Sequence, residues 1–330
     1  MNTQRTAPSI SRRAFAAGLA LSPFAVAAVH RDAAARQATP TADSDVFRYT
    51  FGDLRVCLFS TDHQVFGDAT LQAANAPVEE RRKVVKESGP FIMDNAVTLL
   101  ETGDGLVLLD AGPWSTLPDR LEQEGYNPAD VEVITFSNLH YDHTDGALPI
   151  GANDLPFPNA RYILSRAEHD YWMSDDDQPL SEYVLPYISW MRNDARSFID
   201  RASDQLELVE WEEEFLPGMR MIPAIGHTGG HAAVEIVSAD ETLLHVGDLI
   251  VDPILHLEHP DWYIAAAVWP DEDLASRRRL MDRAAEEHLL VQTVHFPFPG
   301  VGYVEKDGDA WHWVPLACGV GCDLQARDGA

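Results

Sequence analysis

Residues 138 to 146 read Asn-Leu-His-Tyr-Asp-His-Thr-Asp-Gly, and His140, Asp142 and His143 are metal-binding types within four positions. Zinc accepts both imidazole and carboxylate at about 2 Å. A loop that sets them side by side can wrap one divalent ion or seat two neighbours. The plain alternative is a helix start carrying a surface histidine pair. The upstream run Val131-Glu-Val-Ile-Thr-Phe136 is β-branched and apolar and predicts a buried strand. The cluster therefore leaves a strand end on a short loop, where a rigid scaffold can expose chemically useful side chains.

Three further positions also follow candidate strands. His227 lies in Gly226-His-Thr-Gly-Gly-His231, Asp248 follows Leu243-Leu-His-Val-Gly247, and His295 follows Val291-Gln-Thr-Val294. The glycines beside His227 and Asp248 allow tight turns with room for an ion. One histidine at a strand end is usually structural. Four such sites are hard to explain separately.

The elements that must position these residues follow from alternation and spacing. A hairpin is predicted over 46–50 and 54–60, turning at Gly52-Asp53. An irregular stretch follows over 61–90, helical near 79–87, carrying His63 and Phe66. A second hairpin spans 96–102 and 106–110, with a helix over 117–124 before the strand at 131–136. Next come a strand at 161–165 and helices at 167–172 and through 180–202. The later strands are 206–210, 219–223, 232–237 and 242–246. A helix at 274–287, a strand at 291–295 and a hairpin over 302–304 and 311–314 close the chain. Two halves of this kind suggest two sheets packed face to face with helices outside, a four-layer αββα sandwich of the α/β class.

The chain has 330 residues, 45% hydrophobic, with a formal net charge of −29. That length supports one domain with a sizeable core over 46–330. The acidity makes nucleic acid and anionic membranes poor partners, and the apolar, aromatic residues around the candidate sites favour small organic substrates over polymers. Ser11-Arg12-Arg13-Ala14-Phe15, a short apolar run and Ala25-Val26-Ala27 predict a twin-arginine signal peptide over 1–28. A linker over 29–45 and a periplasmic or extracellular destination follow. Pro23 interrupts the apolar run, which is too short to span a bilayer. Cys57 is expected as a buried thiol, and Cys318 and Cys322 could pair after export. Oligomeric state is not legible.

The order His140-x-Asp-His143, Gly-His227-Thr-x-Gly-His231, Gly-Asp248, His295 resembles the metallo-β-lactamase superfamily. Phe157-Pro-Asn-Ala-Arg-Tyr162, His259-Pro-Asp-Trp262 and His295-Phe-Pro-Phe-Pro-Gly300 resemble the branch near the methyl parathion hydrolases. The resemblance implies one or two zinc ions, with Asp142, His143 and His295 on one, His140 and His227 on the other, and Asp248 between. It also implies a hydrolase that attacks an ester-like bond (a lactone, carboxylic ester or phosphotriester) with a metal-bound hydroxide, Asp142 orienting the water. The family pattern has His where this chain has Asn138. A neutral amide is a weaker ligand, so manganese could fill that side, iron would turn the fold to oxidoreductase chemistry, and a weakened binding protein is a further alternative. Asp145 could partner a ligating histidine or serve only as a helix N-terminal charge, and His231, near the site without being a ligand, could partner a ligating group or be structural. His245, His256 and His259 are expected as hydrogen-bonded structural histidines, and Trp262, Trp269, Phe296 and Phe298 as walls of the pocket or core. Ser115, Ser137 and Ser165 show no paired His and Asp, which argues against a serine hydrolase.

Overall fold

Alternating side chains give each of two sheets two apolar faces. The computed structural model describes residues 45–66, 69–114, 116–148, 155–176 and 180–316, with the backbone of 322 and 323. The expected signal peptide, nearly all of the linker, and the Cys318–Cys322 pair lie outside the described side chains.

In the first sheet, β1 (Val46–Phe51), β2 (Leu54–Phe66), β3 (Phe91–Glu101) and β4 (Leu106–Leu109) pair antiparallel. Strands β5 (Val131–Thr135), β6 (Arg161–Ser165) and β7 (Leu206–Val209) then add in parallel. In the second sheet, β8 (Glu214–Leu216), β9 (Met219–Pro223), β10 (Ala232–Ser238) and β11 (Glu241–His245) run antiparallel. There β12 (Leu290–Gln292) lies parallel to β11, and the hairpin of β13 (Val301–Asp307) and β14 (Ala310–Pro315) forms the edge. A two-residue strand, β15 (Cys322–Asp323), adds to β1.

Val56 and Leu58 of β2 point into the seam between the sheets, where they meet Met221, Val234 and Ile236. Their neighbours Cys57 and Phe59 point the other way, under α2 (Leu117–Gln123), α4 (Arg166–Met173) and α5 (Ile188–Arg201). On the far face of the second sheet, Ala233 and Leu244 pack against Leu280 and Met281 of α6 (Pro270–Glu286). The result is the four-layer sandwich, helix on sheet on sheet on helix. No helix among the described residues is long and apolar enough to cross a membrane.

Three expectations need correction. The stretch 61–66 continues β2, because a shift of register between Ser60 and His63 lets it pair with β3 as far as Phe66 opposite Phe91. Its polar letters hide a partly exposed strand with a bulge. Residues 181–187 form turns, and α5 starts only at Ile188, since Pro186 disfavours helix at Leu185. Helix α6 begins at Pro270, whose missing N–H costs nothing in a first turn, and Asp271, Glu272 and Asp273 suit that end of the dipole.

Residues 69–76 pack with Phe91 against the segment carrying Val251, Leu255, Trp262 and Ile264. The fully buried Arg277 of α6 ties that segment down. Its guanidinium donates to Leu249 O at 3.0 Å, Trp262 O at 2.5 Å and Asp273 at 2.9 Å. Removing one partner of such a pair strands the other charge in the interior. Arg277→Ala should therefore cost about 3–5 kcal/mol of unfolding free energy; a urea midpoint indistinguishable from wild type would refute that account.

Candidate metal centre

Strands β5, β9, β11 and β12 all end at one edge of the seam, and each hands a ligand-type side chain to the loop that follows. The structure brings the six residues together in two groups: His140, His227 and Asp248, and Asp142, His143 and His295, with the offered atoms of each group within 4.8 Å of one another. Asp248 reaches both. Its Oδ2 lies 2.9 Å from His143 Nε2 and 2.9 Å from His227 Nε2, and its Oδ1 lies 2.7 Å from His295 Nε2. Asp142 approaches His295 Nε2 at 3.7 Å and is the most open, its side chain 17% exposed. Solvent therefore meets the cluster from the Asp142 side.

The second group is held by residues that the sequence reading passed over. His143 Nδ1 lies 3.0 Å from Asp110 Oδ2. Asp110 also accepts from the Ser137 backbone at 2.8 Å, from Ser137 Oγ at 2.9 Å and from His245 Nε2 at 3.1 Å. It sits at a φ of 55°, a left-handed conformation that Asp tolerates better than most residues. Burial opposes its charge, yet His143 and His245 hold its carboxyl well below the usual range. Burial likewise opposes a proton on His143, but Asp248 and Asp110 raise its pKa well above the ordinary value. His295 Nδ1 is fixed by the Asp94 carbonyl at 2.8 Å. The signal for Asp110 was available: it stands directly after the apolar strand β4, as Asp248 stands three residues after β11.

Ser137 is a correction of a different kind. Its hydroxyl does lie beside His143 Nδ1, at 3.3 Å, and beside Asp110. The group is fully buried and donates to Asp110, so it orients that carboxylate and is not poised as a nucleophile.

His140 and His227 face each other, Nδ1 to Nε2, at 2.9 Å. Burial, then His227, push the His140 pKa well down. Asn138 is spent on the loop itself. Its Oδ1 accepts from the His140 N–H at 2.9 Å, and its Nδ2 donates to Asp248 Oδ2 at 3.0 Å. The N–H of His140 fixes which way this amide points. His231 accepts from the Asp248 N–H through Nε2 at 3.1 Å, while Nδ1 faces the Ala224 carbonyl at 2.9 Å. Both ring nitrogens are occupied, so His231 positions the Asp248 loop. Gly247, at φ 51°, lets that loop pass: a Cβ there would come within 2.6 Å of His231 Nε2. Asp145 ends the short helix α3 (Tyr141–Thr144). Its carboxyl is pushed up to about 6 by burial, Asp194 and Asp142, and among the described residues it makes no hydrogen bond or ion pair with a ligand-type histidine. It does not serve as their partner there.

His245 bonds Gln292 and Asp110, and His256 bonds Gln72 and the backbone at Val251, as expected of structural histidines. His259 stacks on Trp262 at 3.9 Å. Trp262 and Phe296 belong to the core, and Trp269 and Phe298 pack against it.

The donor set fits an ion. His140 Nδ1, His143 Nε2, His227 Nε2 and His295 Nε2 all turn inward, three of them within 2.9 Å of the Asp248 carboxylate and His140 Nδ1 2.9 Å from His227 Nε2. Imidazole nitrogens and a carboxylate are the donors that zinc takes.

The profile of the Metallo-beta-lactamase superfamily matches residues 93–313. An N-acyl homoserine lactonase of Bacillus sp is 28% identical over 164 residues, covering 42% of this chain and 56% of that protein. The enzyme of that name from Bacillus thuringiensis is 26% identical, covering 58% of this chain and 77% of its own. Among solved structures, AidC, a dizinc quorum-quenching lactonase in complex with a product, superposes with a TM-score of 0.75 at 24% identity, over 84% of this chain and 100% of its own. The hydrolase AbOPH gives 0.76 at 20% identity, over 84% and 99%. These two likenesses speak to the fold.

Two outcomes follow from the geometry. Asp110→Asn removes the charge that orients His143 and should weaken zinc affinity by about 10- to 100-fold, read by chelator competition; an unchanged affinity would discard Asp110 as a support. His231, whose pKa burial and His227 lower to about 4, must stay neutral to accept from Asp248. Its folded pKa lies below its unfolded one, so its contribution is present above about 6.5 and is lost as pH falls toward 4. Unfolding free energy of the metal-free protein should decline through that window, and His231→Gln should flatten the decline.

Proposed function

The chain belongs to the metallo-β-lactamase superfamily as a metal-dependent hydrolase, and from that premise we propose that it opens the ester bond of small lactones, N-acyl homoserine lactones first among them. The observation that carries the reading is the convergence of six ligand-type side chains, five of them buried and Asp248 at their centre, open to solvent at Asp142. An ion held there supplies a Lewis acid for an ester carbonyl and makes water acidic enough to attack near neutral pH. The chain's own residues do the rest. Asp142, on the open side, can take a hydrogen bond or proton from the attacking water at its carboxylate oxygens. Asp110 and the Asp94 carbonyl hold His143 and His295 in fixed tautomers, so little reorganisation remains for the reaction itself. The N-acyl homoserine lactonases among the relatives support the choice of ester over other bonds.

The narrower likeness to methyl parathion hydrolases, and with it the phosphotriester, has less support. Phe157 is a fully buried core residue, and Trp262 packs on His259, so those motifs describe packing more than a substrate. Zinc as the ion, with iron or manganese as alternatives, and export by the twin-arginine route belong to the same proposal. The route rests on Arg12 and Arg13; cell fractionation that finds only uncleaved cytoplasmic protein would remove it.

The test is elemental analysis of the purified chain with a panel of lactone, ester, phosphotriester and β-lactam substrates. Zinc-loaded protein should open lactones, lose that activity to a chelator, and lose about 10²- to 10⁴-fold in kcat/KM on Asp142→Asn. Tightly retained iron with no hydrolysis of any of the four classes would point to the oxidoreductase instead.

A further inference from the structure

Glu168 lies in the first turn of α4 and is fully buried. The sequence Ser165-Arg-Ala-Glu168 has the spacing of a capping box, in which Glu would reach back to the N-cap backbone. Ser165 does accept from the Glu168 N–H, at 3.0 Å. The Glu168 carboxylate goes elsewhere. Oε1 accepts from the Leu139 N–H at 3.0 Å and from Trp172 Nε1 at 2.7 Å. Oε2 accepts from Thr228 Oγ1 at 2.5 Å and from the Gly230 N–H at 3.1 Å. Four donors meet one carboxylate, which is close to its full accepting capacity.

Two of those donors sit one residue from a ligand: Leu139 precedes His140, and Thr228 follows His227. The loop of His227 comes so near that a Cβ on Gly230 would lie 1.9 Å from Glu168 N. Ser165 Oγ adds a bond to the Gly230 carbonyl at 2.8 Å. The Trp172 ring, pinned by the same carboxylate, stands edge-on to His140 with centroids 5.9 Å apart. None of these contacts reaches Asp142, His143 or His295, and the two histidines are supported by Asp110 and the Asp94 carbonyl.

We propose that Glu168 is the positioning residue of the His140–His227 group: one buried carboxylate sets the spacing of two loops from different sheets, and so of the two imidazoles that would hold an ion. The proposal rests on the reading of His140, His227 and Asp248 as ion ligands. A neutral side chain cannot do the same work. Glutamine keeps one acceptor oxygen and turns the other end into a donor. Lying one way, the amide sets its NH2 against the Leu139 and Trp172 N–H groups; lying the other, against the Gly230 N–H, though the Thr228 hydroxyl can turn to accept; either way a donor on a ligand loop loses its acceptor.

The test needs no substrate, so it stands apart from the choice of lactone. Histidine ring resonances of the full chain are followed by NMR while zinc is added to wild type, Glu168→Gln and Thr228→Val. In wild type both pairs of rings should respond. In Glu168→Gln the zinc needed to shift His140 and His227 should rise about 10- to 100-fold, while His143 and His295 move by less than about threefold. Thr228→Val removes one donor and should show a smaller change with the same selectivity; it decides the matter if Glu168→Gln does not fold. A merely structural glutamate would weaken both pairs together. Equal weakening, no change in either variant, or wild-type His140 and His227 rings that ignore zinc would each overturn the proposal.

Discussion

A carboxylate buried in the seam between two sheets is expensive to keep charged unless polarised partners surround it. Asp248 is such a group. Burial works against its charge, and His143, His227 and His295 bring its pKa well below the ordinary value. Those imidazoles come from three separate loops, one on the first sheet and two on the second. The packing of the sheets and the chemistry of the site are therefore one constraint. If the sheets slid by one residue, the imidazoles would leave the carboxylate and the interior would hold an unpaired charge.

The two halves of the centre are braced differently. His143 and His295 are oriented directly, through the ring nitrogen that does not face Asp248, by Asp110 and by the Asp94 carbonyl. A hydrogen bond at one nitrogen fixes the tautomer presented by the other. Among the described residues, His140 and His227 have no such partner on their free nitrogens. Their geometry comes from the backbone instead, through Glu168, Asn138 and His231, which hold loops and not rings. Asn138 shows how a poor ligand can still matter. Its amide closes the turn that carries His140 and gives Asp248 a neutral donor.

The open side is aromatic. Trp114, at a φ of 62° and about half exposed, lies 6.3 Å from the Tyr141 ring, which in turn lies 5.9 Å from Trp190 of α5. A left-handed tryptophan carries backbone strain. Tyr141 stands between His140 and Asp142 in the sequence, so these rings adjoin the loop that carries the most exposed ligand-type side chain.

Alternation and strand-end placement were enough to read the two-sheet sandwich and the six convergent residues, because both depend on local periodicity and on which residue follows a strand. Glycine and proline marked most boundaries for the same reason. The errors fell where a neighbour decided the outcome: 61–66 is strand only because β3 lies beside it, and burial and Asp194, on α5, bear on the Asp145 carboxyl. The supports were the least legible part. Nothing local distinguishes Glu168 from a helix cap or Ser137 from an ordinary buried serine. Their partners lie in loops up to about sixty residues away, at 27 residues for Asp110 and 62 for Gly230. The chain by itself named the groups able to hold an ion. Only packing two sheets and a helix against one another decided which buried carboxylates would hold those groups in place, because a hydrogen bond across the fold leaves no spacing in the sequence.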